Sequence, residues 1–342
     1  MKYILIISTL FFFSCGGSDN TVENSEWLIP SSLVFDGGPG KDGIPSVDSP
    51  EFDQVSEVNF LDDQALVIGM IHDGVAKAYP HPILDWHEIT NDNIGDRSFA
   101  LTYCPLTGTG IAWDRVINGK VTTFGVSGKL YNTNLIPFDR ETESYWSQIR
   151  MDCINGPLIN SEIRTYPIVE TTWETWREAF PNSLVQNTNT GFARDYTRYP
   201  YGDYRTNNAN IIFPLTFEDT RLPAKERVLG VITQTTKKVY SIELFGAGRV
   251  IEDNIDGEDV LVIGSEEDNY IIIVEKPGDA DFEFLADELP YIAADSEGNR
   301  ISLSGAVDRA SGVTEVLARP NAFIGYFFPF GAFYEGLEVF EE

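Results

Sequence analysis

Cys104 closes the strand-like run Arg97 to Tyr103 and stands just before Pro105 and a Gly108-Thr-Gly110 turn. A thiol at a strand end beside glycines is open to a ligand in a way that a mid-strand thiol is not. As a thiolate it is a nucleophile or a soft metal ligand, provided a neighbour lowers its pKa. His87 is the candidate neighbour: its imidazole can take the thiol proton, with Asp85 or Glu88 orienting the ring. Asn132, Arg140, Trp146 and Gln148 lie in segments dense in amide, guanidinium and carboxylate groups, and are candidates for holding a small polar substrate. The bland alternative makes Asp139-Arg140 a surface pair and Trp146 core. A metal reading gathers His87, Cys104 and His81 around copper or zinc, although His72, His81 and His87 show neither a helical pair nor a zinc-finger spacing. A bridge between Cys104 and Cys153 is the structural rival, and it requires Cα atoms within about 7 Å.

An internal repeat singles out the first two residues. Val67 to Arg115 overlies Val228 to Lys276 at a constant shift of 161 positions without a gap. Val67, Gly69, Ile71, Lys77, Tyr79, Asp92 and Ile94 meet Val228, Gly230, Ile232, Lys238, Tyr240, Asp253 and Ile255. An ungapped register that keeps every apolar face points to an ancient duplication. Residues kept in both copies report on folding, whereas His87 faces Gly248 and Cys104 faces Ser265. Chemistry is therefore expected in the first copy. Asp139 has a counterpart in Asp295, which favours a structural role for it, while Arg140 becomes Ser296.

Short strands and tight turns must position these residues. Ala65 to Ile71 and Val75 to Tyr79 flank Asp73-Gly74, a hairpin signal. Arg97 to Tyr103 and Gly110 to Val116 read as strands, Asn118-Gly119 as a turn, and Pro82 to Ile89 and Thr171 to Ala179 as short helices. Phe327-Phe-Pro-Phe330 mirrors Trp173-Glu-Thr-Trp176 at a shift of 154. The expected fold is α+β, predominantly antiparallel β with short helices, as two pseudo-symmetric repeats in one body. A β-propeller would need a period of roughly 40 to 50 residues, and none is found. The chain divides into a leader (1–15), a polar tether and Gly/Pro-rich lead-in (16–58), a first repeat with the candidate site (59–187), a Tyr/Arg-rich connecting segment (188–223) and a second repeat (224–342). The connecting segment is too rich in aromatics and arginines for a solvated tether and should wrap the core.

Lys2, the apolar run Tyr3 to Phe13 and Ser14-Cys15 read as a bacterial lipoprotein signal with Cys15 as the acylated residue. The expectation is a body held to a membrane of the cell envelope by lipid, facing the periplasm or the surface. A net charge of −29 and a pI near 4.3 exclude nucleic acid as a partner, since both would carry the same sign.

Several blocks together resemble DUF3179, a bacterial family of unknown function. They include Asp36-Gly-Gly-Pro-Gly-Lys-Asp-Gly-Ile-Pro45, Leu84-Asp-Trp-His-Glu-Ile89, Thr102-Tyr-Cys-Pro-Leu106, Leu130-Tyr-Asn132, Trp146-Ser-Gln148, Arg194-Asp-Tyr196 and Arg221-Leu-Pro223. The resemblance runs from about residue 27 to the C-terminus and brings no established activity. Many members continue the third block to Cys-x-x-Cys; here Thr107 takes the second place, which argues against dithiol chemistry. Three readings stay open: a thiol-dependent nucleophilic or redox enzyme using Cys104 and His87, a receptor for a metal or small ligand, and a structural envelope protein that meets a protein partner.

Overall fold

Asp73 and Gly74 adopt φ of 49° and 76°, the left-handed pair that a tight hairpin turn requires. They join Leu66–His72 to Val75–Pro80. Val169–Thr172 pairs antiparallel on one side of this hairpin and Leu184–Gln186 parallel on the other. Ile89–Ile94, Arg97–Cys104 and Thr109–Asp114 form a second antiparallel sheet. The computed structural model describes residues 26–341, so Cys15 and the start of the tether lie outside the described residues. Among the described residues the fold is mostly antiparallel β with three short α-helices and no closed barrel. No described helix is long and apolar enough to cross a membrane.

Helix α1 is His81–His87, with Pro82 in its first turn. It is shorter than the expected Pro82 to Ile89, because Glu88 turns left-handed at φ 58° and Ile89 joins the sheet. Helix α2 is Trp173–Ala179, capped by Thr172, whose side chain accepts the Thr175 amide. Thr171 and Thr172 remain in the preceding strand. Helix α3 is Phe327–Phe333.

Pairing in the second half recurs at the sequence offsets. Gly69 faces Ala78, as Gly230 faces Val239; Val169 pairs with Gly69, as Phe323 pairs with Gly230. Both glycines are enforced by aromatic rings. An added Cβ would lie 1.9 Å from Trp176 at Gly69 and 2.0 Å from Phe330 at Gly230. Asp92 takes Lys77 and Tyr79 at 2.8 and 2.6 Å, and Asp253 takes Lys238 and Tyr240 at 2.5 and 2.6 Å. The halves meet through matching bonds, Tyr326 amide to Thr107 carbonyl at 2.8 Å and Thr172 amide to Asp268 carbonyl at 3.3 Å.

The connecting segment holds only a short 3-10 turn, Tyr204–Thr206. It is nevertheless built into the core. Tyr204 is fully buried in one cluster with Trp113, Phe124 and Trp146 of the first half and Phe327 and Phe330 of the second.

Candidate functional site

The left-handed turn that ends α1 sets Glu88 within electrostatic reach of the Cys104 thiol, which itself donates to the Thr133 carbonyl at 3.8 Å. Glu88 sends its carbonyl to the Tyr103 amide at 2.6 Å, which locks the helix end to the strand that closes with Cys104. A non-glycine residue with positive φ stores strain that the surroundings must hold, a feature common at functional positions. Burial pushes the Glu88 carboxyl up to about 7, against the hydroxyl of Tyr201, which donates to it at 3.3 Å. Cys104 is 1% exposed. Burial, with a smaller contribution from the Glu88 charge, pushes its thiol up to about 11.

His87, the base expected from the sequence, is engaged elsewhere. Its Nδ1 lies 2.7 Å from the Pro45 carbonyl, which can only accept, so Nδ1 carries the proton. Its Nε2 then accepts from Tyr196 Oη at 2.7 Å. Burial lowers the pKa of this imidazole. The expected low thiol pKa and open pocket are thus both corrected: Cys104 is enclosed, and its ionisable neighbour is Glu88.

A belt of buried charge continues from Glu88 toward the junction of the halves. Asp85 pairs with Arg205, whose guanidinium stacks 3.9 Å over the Tyr199 ring. His81 lies 4.5 Å from the Tyr103 ring and places Nε2 3.2 Å from Glu170 Oε1 without hydrogen-bond geometry. Glu170 also takes Arg227 at 2.5 Å. Burial pushes the Glu170 carboxyl up, but Arg227 and His81 outweigh it and hold it down at about 2. Four buried polar atoms here lack a hydrogen-bond partner: His81 Nε2, Glu170 Oε2, Arg227 Nε and Tyr199 Oη. At the offsets of the second half, His81, Asp85, Tyr103, Cys104 and Glu170 become Ile242, Gly246, Gly264, Ser265 and Ile324. The folding framework recurs and this belt does not.

The connecting segment covers the belt as a strap, gripping four consecutive residues. Arg205 holds Asp85, the Arg198 carbonyl accepts Trp86 Nε1 at 3.0 Å, Tyr196 holds His87 and Tyr201 holds Glu88. A run this long without a strand or an α-helix is uncommon inside a folded body, where such segments are usually functional loops or linkers. Its outer stretch, Gly191 to Asp195, is exposed.

The other expected ligand contacts are spent inside the fold. Gln148 uses Oε1 for Thr109 and Asn134, both at 2.7 Å, and Nε2 for the Thr102 hydroxyl and the Thr109 carbonyl, at 3.1 and 3.0 Å. Thr107 joins the same knot through Asn134 at 2.9 Å. Arg140 clamps the lead-in through Asp42, Ser46 and Asp48 at 2.8, 3.1 and 3.3 Å. Asn132 pins the Thr216 amide at 2.8 Å and the Ala332 carbonyl at 3.2 Å. Trp146 donates to Asp139 at 3.0 Å. In the fold these four side chains are bonded to groups of the protein itself.

Cys104 and Cys153 are both free and buried, which removes the bridge alternative. The copper or zinc set falls as well, because His81 turns to Glu170 and His87 to Pro45 and Tyr196, so neither converges with Cys104. Among the described residues, metal-ligating atoms gather within 4.8 Å at His72, Asp73 and Asp96, where the turns of two neighbouring hairpins meet. Sequence reasoning missed Glu170, Arg205, Arg227, Tyr199 and Tyr201 as members of the site. The density of Tyr and Arg in the connecting segment was the available signal for three of them.

The model of a family described as a protein of unknown function (DUF3179) matches residues 41–336. No curated protein and no solved structure matches the chain.

Proposed function

We propose that this protein, which belongs to the DUF3179 family, is a thiol-dependent enzyme acting on a small polar substrate beneath the strap. Cys104 is the nucleophile, and Glu88 replaces His87 as its general base. What supports this reading is the buried Glu88, set by a left-handed backbone within electrostatic reach of the buried thiol, its carboxyl pushed up by burial to about 7. A base poised near operating pH can remove a proton from a much weaker acid as the new bond forms. Cys104 Sγ bonds to an electrophilic carbon while Glu88 takes the thiol proton. The same carboxylic acid then returns that proton to the leaving group, and water releases the product. Opening of the strap admits the substrate, and its closure excludes water from the reacting atoms.

p-Nitrophenyl acetate tests the reading without a known substrate. Attack by Cys104 expels p-nitrophenolate and leaves an acetyl thioester on Sγ. The expected result is a burst of p-nitrophenolate with one acetyl group on Cys104 by mass spectrometry, absent in Cys104→Ser and slowed in Glu88→Gln. Acetylation that spares Cys104 would contradict it. A receptor without turnover is the second reading, supported by the four unpaired atoms of the belt, which a ligand with donors and acceptors would satisfy. We further propose that acylation of Cys15 holds the protein to an envelope membrane. Incorporation of labelled fatty acid that is lost in Cys15→Ala is the expected outcome; an unlabelled wild type would remove the anchor from the account.

A further inference from the structure

We propose that the acidic cleft between α2 and the segment Phe284 to Leu289 binds an aliphatic polyamine. It is separate from the thiol reading above. The cleft has a volume of about 370 Å³. Glu174, Glu178, Glu267, Asp268 and Asp287 line it, and no lysine or arginine among the described residues does. Asp268 stands at the second-half position of Thr107, and Ala247 of the same cleft at that of Trp86, which the strap grips in the first half. The place that the strap closes in one half is thus a cleft in the other.

Unpaired carboxylates alone would be a solvated face. Glu174 faces Arg177 at 3.8 Å, and Asp268 accepts Ser265 Oγ at 2.8 Å and Thr175 Oγ1 at 3.1 Å. The carboxylates of Glu178, Glu267 and Asp287 bond to nothing among the described residues. What points to a ligand is Tyr270, which lines the cleft and is 1% exposed. Its hydroxyl forms no hydrogen bond among the described residues, although a buried tyrosine hydroxyl ordinarily finds a partner. Burial, and after it the Asp268 charge, raises its pKa, so the hydroxyl is directed toward the carboxylate that shares the cleft. An ammonium group there would donate to both. No three of the five carboxylates bring oxygens within 4.8 Å of one another, so they do not close on one metal ion. Negative charge spread along a cleft fits a flexible chain with several ammonium groups, each a compact donor of three N–H bonds. The methylene stems between them would lie against the half-buried Phe284, Leu285 and Leu289.

Spermidine, hexylamine and calcium chloride, titrated into the purified protein by calorimetry at physiological ionic strength, distinguish a polyamine from a single ammonium and from a metal. Spermidine should bind, with hexylamine weaker by roughly tenfold or more and calcium unable to displace it at equal concentration. Tyr270→Phe, which removes no charge, should weaken spermidine by roughly threefold or more. Glu178→Gln with Asp287→Asn should weaken it by roughly tenfold, whereas Glu141→Gln with Glu143→Gln, which removes the same charge from the first half, should change it by less than about twofold. The proposal is overturned if spermidine does not bind, if hexylamine matches it, if calcium displaces it, if Tyr270→Phe binds it as well as wild type, or if the control pair weakens it as much as the cleft pair. Should Tyr270→Phe fail to fold, the two charge-matched pairs decide.

Discussion

Replacing Glu88 by Gln should make the protein more stable, and only above the acid range. The carboxyl is buried and moved from 4.5 to about 7, so the folded state binds its proton more tightly than the unfolded chain does. Between those values the native state holds more protons, and stability falls as pH rises. At about 1.4 kcal/mol per tenfold change, the burden above pH 7 is about 3 kcal/mol. Below 4.5 both states are protonated and the burden vanishes. Gln keeps the shape, the left-handed backbone position and an oxygen for Tyr201, while removing the charge. Urea unfolding of wild type and Glu88→Gln at pH 5 and pH 8.5 measures the effect, with an expected gain of about 2 to 3 kcal/mol at the higher pH and little at the lower. Equal stability at pH 8.5, or a loss at both values, would refute the claim that Glu88 is a buried carboxylate held near neutrality. A stability gain from losing a proposed base is also what a functional position predicts.

Glu170 should behave with the opposite sign. Its carboxyl is held at about 2 by Arg227 and His81, so its contribution is full above 4.5 and lost as pH falls through 2. Glu170→Gln should cost about 3 kcal/mol in urea unfolding at pH 7 and progressively less toward pH 2. Arg205→Ala should loosen the strap, seen as faster proteolysis within residues 191–203 and faster alkylation of Cys104; unchanged rates would mean that Asp85–Arg205 does not hold the strap down. Thiol titration of the unfolded protein without reductant should find both Cys104 and Cys153 free, and a pair missing from the count would restore the bridge.

What was legible in the sequence was local. Asp73-Gly74 fixed a hairpin because its backbone angles suit few other pairs, and the apolar rhythm at the offset of 161 carried strand limits into the second half. Cys104 was marked by its place at a strand end and its replacement by Ser265. The choice between His87 and Glu88 was not legible, because it depends on the left-handed turn at Glu88 and on the bonds from His87 to Pro45 and Tyr196, which leave Glu88 as the group whose charge reaches the thiol. Nor were the partners joined by the fold alone: Asp85 and Arg205 lie 120 positions apart, and Asp42 and Arg140 lie 98 apart. Arg140 and Gln148 read as ligand contacts because amides and guanidinium look the same in sequence whether they bind a substrate or knot a core.

The most direct test is the pH dependence of Cys104 alkylation by iodoacetamide, followed by mass spectrometry in wild type and Glu88→Gln. With Glu88 as base, the wild-type rate should show an inflection near 7, where that carboxyl ionises, and a second rise toward the thiol's own value near 11. Glu88→Gln should lose the lower inflection, and its single titration should shift below the wild-type value because a neighbouring negative charge is gone. Superimposable profiles for the two proteins would contradict the pairing of Cys104 with Glu88.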